Sequence, residues 1–385
     1  MEKLSIMSIS RNYFVKIITV LFVILTLWWI TIFYRGLTAS VENNAFTLIY
    51  PLLSLSGGIA GLLVSKKWSG RKSLIGRAIL CFSVGLLLQF FGQAAYAYYI
   101  YIQGITVPYP SIGDIGYMGS VFAYIAGAYL LMKATGFTSS LKSIKGKLFA
   151  ILVPLIILVS SYFFFLHGYV FDWTNPLKIF LDFGYPFGQA IYVSIALLAI
   201  LTSRDFLGGV VKKPIIFLTI ALMVQYFCDF TFLYQSNAGT WYVGGINDYM
   251  YFASYFIMTL AIIYIGSVSQ KIRSENSSVT AIKPESGSMT DYDKLLNQIL
   301  TEIIKRQVRV AGQLAWQEVK KVSGIVVTSE QEVIVSINGD AKKIIDQLLG
   351  NYRNLFGDIA VEVSKNAVYY LVAELPTNQV PDSLK

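Results

Sequence analysis

The sequence predicts an α-helical polytopic membrane bundle of eight spans, arranged as a 4+4 parallel repeat, followed by a small cytoplasmic α+β domain. Three observations predict it. Apolar runs of about 20 residues, the length that crosses a bilayer core, recur along the first two thirds of the 385 residues, and 55% of the chain is hydrophobic against 14% charged. Basic residues collect at alternate ends of these runs. Polar residues inside the runs recur at a single offset near 135.

The eight runs fall at 14–34, 45–65, 75–100, 114–133, 148–168, 177–202, 214–235 and 248–268. The first is too long for a signal-peptide core and lacks an A-x-A cleavage pattern, so it reads as a span. Residues 1–272 then form the membrane domain, 273–290 a linker and 291–385 the cytoplasmic domain. One set of span ends carries 17 Lys and Arg, among them Lys66, Lys67, Arg71, Lys72 and Arg77; the opposite set holds only Arg35 and Lys178. By the positive-inside rule both termini are cytoplasmic in the cell membrane. Residues 1–290 have 20 basic and 10 acidic side chains, and 291–385 have 11 and 12. The excess therefore orients the bundle against anionic lipid, and no electrostatic footprint for nucleic acid remains.

Internal duplication is read from polar pairs, because apolar runs resemble one another cheaply. Tyr50-Pro51 recurs as Tyr185-Pro186. Gln89 and Gln93, four apart, recur as Gln225 and Asp229. Asp114 and Tyr117 recur as Asp248 and Tyr251. An even number of spans per half makes the repeats parallel. The Tyr-Pro pairs predict kinks, since proline removes a helical hydrogen bond.

These residues gather toward the outer leaflet. Gln89, Gln93, Asp114, Tyr117, Asp182, Gln225, Asp229, Asp248 and Tyr251 are the expected ligand-binding set, with Gln93 beside Asp114 in one half and Asp229 beside Asp248 in the other. Ionisable groups at membrane depth are costly and face a bundle interior or a wet cavity. A second role stands beside this one. Asp114 and Asp248 open their helices, where a carboxylate satisfies free N–H groups. Asp229 lies about two turns inside its span, so capping does not account for it; it requires a pocket or a buried tie to a Tyr, Gln or Ser.

The stretches "PYPSIGDIGYMGSVFAYIAGAYLL", "GYPFGQAIYV" and "GGINDYMYFASYFIMTLAII" resemble the polytopic membrane module that precedes GGDEF, EAL or histidine-kinase domains in bacterial signalling proteins. Pro110, Ser111, Asp114 and Tyr117 match its PxPSxAD..Y stretch, and Tyr185 and Pro186 match its YPxxD stretch. Gln189 stands where the module has Asp. The resemblance covers residues 75–268 and implies a sensory or regulatory input domain.

Residues 274–290 are rich in Ser, Lys, Glu, Pro and Gly and read as a flexible linker. Beyond them, Leu295, Ile299, Ile303, Val310 and Leu314 mark a long amphipathic helix, or a pair broken near Ala311-Gly312. Residues 324–329 and 332–337 alternate as a hairpin. Asn338-Gly339-Asp340 caps a helix over 341–356 that Gly357 stops, and the following "DIAVEVSKNAVYYLVAEL" reads as helix. The domain holds no GGDEF run, phosphoacceptor His, P-loop or G-x-G-x-x-G.

Two cysteines, Cys81 and Cys228, and one histidine, His167, leave no disulfide scaffold and no Cys or His metal set. No cofactor, no metal and no enzymatic activity are expected, for no nucleophile–base set occurs. The leading expectation is a membrane sensor or adaptor. Its bundle takes a small ligand in the outer-leaflet pocket, and its α+β domain relays to a cytoplasmic protein partner or a second copy through the 293–315 helix. The alternatives are a cation- or proton-coupled transporter using Asp114, Asp229 and Asp248, and a structural subunit of a membrane complex.

Overall fold

The structure is a computed structural model and describes residues 13–105, 107–134, 144–206, 212–276 and 291–385. Nine helices precede the C-terminal domain among these residues. They are α1 (Tyr13–Tyr34), α2 (Val41–Ile49), α3 (Leu52–Lys67), α4 (Leu74–Ala97), α5 (Gly113–Ala134), α6 (Ile144–Ser161), α7 (Pro176–Phe206), α8 (Lys212–Asn237) and α9 (Ile246–Asn276). Among the described residues, seven are long and apolar enough to cross a bilayer, counting α2 and α3 as one stretch, and mark a multi-pass membrane protein. The predicted span at 177–202 lies in α7, of which the seven take no account because the side chains of 200–206 lie outside the described residues. It packs against α5, α6 and α8, so its polar groups meet protein.

The two Tyr-Pro pairs behave differently. Pro51 divides the second stretch: α2 ends at Ile49 and α3 begins at Leu52. Pro186 sits inside α7, which continues through it. Ser40 starts α2 with a capping box, its Oγ accepting from Asn43 N at 3.2 Å while Asn43 Oδ1 accepts from Ser40 N at 3.2 Å.

Packing is reciprocal. α3 packs on α4 and α9, and α7 packs on α8 and α5; α4 pairs with α5, and α8 with α9. The α4–α5 pair is held close by glycine. A Cβ on Gly116 would lie 2.5 Å from Leu88 O and 2.7 Å from Gly92 N, both rigid backbone atoms.

The C-terminal domain consists of α10 (Asp291–Ala311), α11 (Gln313–Val319), β1 (Ile325–Ser329), β2 (Ile334–Ile337), α12 (Ala341–Phe356) and α13 (Asp358–Val372). Gly312, at φ +62°, makes the predicted break after Ala311. The hairpin pairs Ile325 with Ile337 and Val327 with Val335, and its register shifts between Val327 and Ser329. Asp340 caps α12 through Lys343 N at 3.2 Å, and Gly357, at φ +78°, separates α12 from α13. α9 runs on to Asn276, past the expected boundary at 272; residues 277–290 of the expected linker lie outside the described residues.

The apolar face of α10 packs within the chain. Ile299, Leu300, Ile303 and Ile304 are fully buried, α10 packs on α13, and Gln307 Nε2 donates to Ala360 O at 2.8 Å and Ser364 Oγ at 2.9 Å.

The domain sits on the end of the bundle that carries Lys66, Lys67, Arg71 and Lys72. α13 packs on α9 and α12 on α4. Asp358 N donates to Ser69 Oγ at 2.8 Å, and Ser69 Oγ donates to Asp358 Oδ2 at 3.2 Å. The neighbouring Trp68, buried, donates from Nε1 to Ile265 O of α9 at 3.2 Å. Apolar side chains of bundle and domain form one continuous core.

Candidate functional site

The opposite end of the bundle gathers the starts of α2, α5, α7 and α9 and the ends of α4 and α8. Asp114, Asp229 and Asp248 are all buried there. Among the described residues none of the three has a cation for a partner; hydroxyls hold all three, joined by a side-chain amide at Asp229 and by backbone N–H groups at Asp114 and Asp248.

Asp229 has the most complete shell. Tyr192 OH of α7 donates to Oδ2 at 2.7 Å, Tyr251 OH of α9 to Oδ1 at 2.8 Å, and Gln225 Nε2, one turn earlier on α8, to Oδ1 at 3.0 Å. Ser254 Oγ donates to Gln225 Oε1 at 2.7 Å. The spacing of four between Gln225 and Asp229 puts both on one helix face, and Tyr251 and Ser254, three apart on α9, meet them. A carboxylate out of water keeps its charge only where such donors replace the solvent.

Asp114 divides its two oxygens between two tasks. Oδ2 accepts from Ser111 N at 2.7 Å and Ser111 Oγ at 3.1 Å, which fixes the turn that enters α5. Oδ1 accepts from Tyr185 OH of α7 at 2.7 Å. Asp248 fixes the entry to α9 in the same way, Oδ2 accepting from Gly244 N at 2.7 Å and from Thr47 Oγ1 of α2 at 3.1 Å. The buried Tyr50 hydroxyl reaches toward Asp248 but does not meet hydrogen-bond geometry and has no partner. Gln89 ties α4 to α5 through Ser120 Oγ, 2.8 Å from its Nε2, and α4 to α9 through Tyr255 OH, 3.0 Å from its Oε1.

The expected pocket is therefore drawn differently by the structure. Gln225, Asp229 and Tyr251 form one hydrogen-bonded cluster. Gln93 is half-buried and faces Tyr255; Asp114 is held by Ser111 and Tyr185 instead. Asp229 and Asp248 share no partner. Tyr117 packs edge-on against Tyr96, ring centroids 5.2 Å apart. Asp182 lies apart at the rim, accepting from Tyr109 OH at 2.7 Å and Tyr169 OH at 2.6 Å, and so joins the loops before α5 and α7. Its carboxylate pushes the Tyr169 phenol up to about 12.

The residues not foreseen are the hydroxyl donors Tyr192, Tyr255, Ser120, Ser254 and Thr47. Two of them carried a signal: Ser120 and Ser254 stand 134 apart, the same offset as Asp114 and Asp248. Three buried polar atoms here remain without partners, Tyr50 OH, Tyr124 OH and Asn247 Oδ1. Among the described residues, no group of three or more His, Cys, Asp or Glu could hold a metal ion.

Comparison with protein-family models, with curated proteins and with solved structures finds no match.

Proposed function

We propose that this is an integral membrane sensor or adaptor in which an eight-span bundle, with both termini cytoplasmic, is the input and the C-terminal domain relays its state. The observation that carries the reading is the course of α9. Its first turns bring Asp248, Tyr251, Ser254 and Tyr255 into the polar cluster, and the same helix packs on α13. A single element thus joins Asp229 and Asp248 to the docked domain, a contiguous path of the kind that can carry coupling between two sites.

Duplication of the bundle is part of the proposal, and hydrogen bonds support it. Gln89 meets Ser120 between α4 and α5, and Gln225 meets Ser254 between α8 and α9. Tyr185 meets Asp114 between α7 and α5, while Tyr50, its counterpart, reaches toward Asp248 between α2 and α9. The halves diverge where Asp229 stands opposite Gln93. That carboxylate is the group around which a ligand or a second arrangement of the helices would act. Tyr50 OH, Tyr124 OH and Asn247 Oδ1 offer such an arrangement unused hydrogen-bonding capacity, and each buried unpaired group costs about 1–3 kcal/mol.

Hydrogen exchange on the full-length protein, comparing wild type with Asp229→Asn, tests the relay. Altered protection in 68–73 and 353–360, far from the substitution, is the expected result. Changes confined to α7, α8 and the start of α9 would leave the bundle a scaffold.

A further inference from the structure

A cavity of about 470 Å³ opens where the turn between α3 and α4 meets the corner between α12 and α13. Lys72 forms its wall on the bundle side, and Arg353, Asn354, Gly357 and Asp358 form it on the domain side. We propose that this cavity binds a phosphate group, held between Lys72 Nζ and the guanidinium of Arg353, and that the bound group clamps the C-terminal domain onto the basic end of the bundle.

The charges that face the cavity are two cations and one carboxylate. The carboxylate is already engaged: Asp358 Oδ1 accepts from Arg353 Nε at 2.7 Å and Oδ2 accepts from Ser69 Oγ. That bond uses one of the five N–H donors of the guanidinium, leaving its terminal nitrogens for another acceptor. Lys72 makes no ion pair among the described residues, and Arg71 adjoins it. A concave polar site with one positive charge uncompensated favours an anion. A guanidinium fork beside an ammonium suits the several oxygens of a phosphate better than a lone carboxylate. The volume far exceeds the roughly 30 Å³ of one water, so a substituted phosphate fits. Two sources share this chemistry. One is the headgroup of an anionic lipid, which juxtamembrane cations attract; the other is a soluble phosphate compound. Because the walls come from both parts of the chain, occupancy bridges them. The proposal goes beyond the relay reading and stands without it, since binding at the joint is measurable whether or not the buried acids signal.

The test is isothermal titration of the full-length protein in detergent with inorganic phosphate, with a short-chain phosphatidic acid, and with phosphatidylcholine of the same chain length. Wild type is compared with Lys72→Gln and with Arg353→Lys, which keeps the charge and loses the fork. Lys72 is exposed and makes no ion pair among the described residues, so Lys72→Gln is expected to melt close to the wild-type temperature. The expected result is saturable binding of a phosphate ligand that weakens at least tenfold in both variants. Binding of inorganic phosphate assigns the site to soluble phosphates; binding of phosphatidic acid alone assigns it to a lipid headgroup. The proposal is overturned if neither ligand binds saturably, if Lys72→Gln binds as wild type does, or if phosphatidylcholine binds as tightly as phosphatidic acid.

Discussion

Asp229 is surrounded by two phenols and an amide that all point their hydrogens at it, an arrangement that depends on the acceptor being there. Asp229→Ala strands three buried donors. The loss is expected to be about 1–3 kcal/mol for each donor that finds no new acceptor, read as a lower melting temperature of the detergent-solubilised protein. Asp229→Asn, which keeps one acceptor oxygen, should fall between that variant and wild type. Asp114 permits a finer separation. Tyr185→Phe removes only the interhelical bond to Oδ1 and leaves the Ser111 turn intact. It should cost about 1 kcal/mol, whereas Asp114→Ala, which also frees the turn, should cost more. Equal losses would mean that the Tyr185 bond is the whole contribution. At this scale the acids were legible in the sequence because carboxylates in apolar runs are rare. Their partners were not: with 26 tyrosines in the chain, no spacing rule singles out Tyr192, which meets Asp229 only through the packing of α7 on α8.

Helix positions followed from apolar periodicity and length, and the ends of α12 followed from Asp340 and Gly357, whose backbone roles are local. What periodicity does not encode is which element an apolar face meets. The stripe on α10 suits a second copy as well as it suits α13; only chain connectivity, which holds α13 at high effective concentration, decides for the latter. The 291–385 fragment is therefore expected to be monomeric in sedimentation and helical by circular dichroism, and a dimer would mean that α13 leaves α10 when the bundle is removed. α7 tolerates Gln189 in its apolar run because that side chain is buried on a helix that packs against α5, α6 and α8, while Leu177, Phe180 and Ile191 remain exposed. Between α4 and α5 the limit is steric. Gly116→Ala must move backbone, as Leu88 O and Gly92 N leave no space for a Cβ. Overpacking of this kind costs typically about 1–3 kcal/mol, measurable as a lowered melting temperature.

Across the whole molecule, the acids lie at one end of the bundle and the C-terminal domain at the other. Cysteines placed at Ser40 and Ile105 are expected to react with an impermeant reagent added outside intact cells, and one at Ser286 only after lysis. Labelling of Ser286 from outside would invert the arrangement. The joint itself should respond to acid. Arg353 first, and Ser69 with it, hold the Asp358 carboxyl below its usual range. Its contribution to docking is complete above the ordinary carboxylate value of about 3.9 and is lost as the pH falls through the lowered value. Protection of Ser69 and Gly70 against exchange should thus persist to about pH 4 and drop below it, and Asp358→Asn should remove that step. Finally, α9 is continuous for 31 residues. At 1.5 Å per residue that makes a rod of about 46 Å, so a tilt of about 3° about one tip displaces the other by about 2.4 Å. Such a rod has leverage: a change at the Tyr251 hydroxyl too small to open a gap between helices arrives at α13 as a shift comparable to the length of a hydrogen bond.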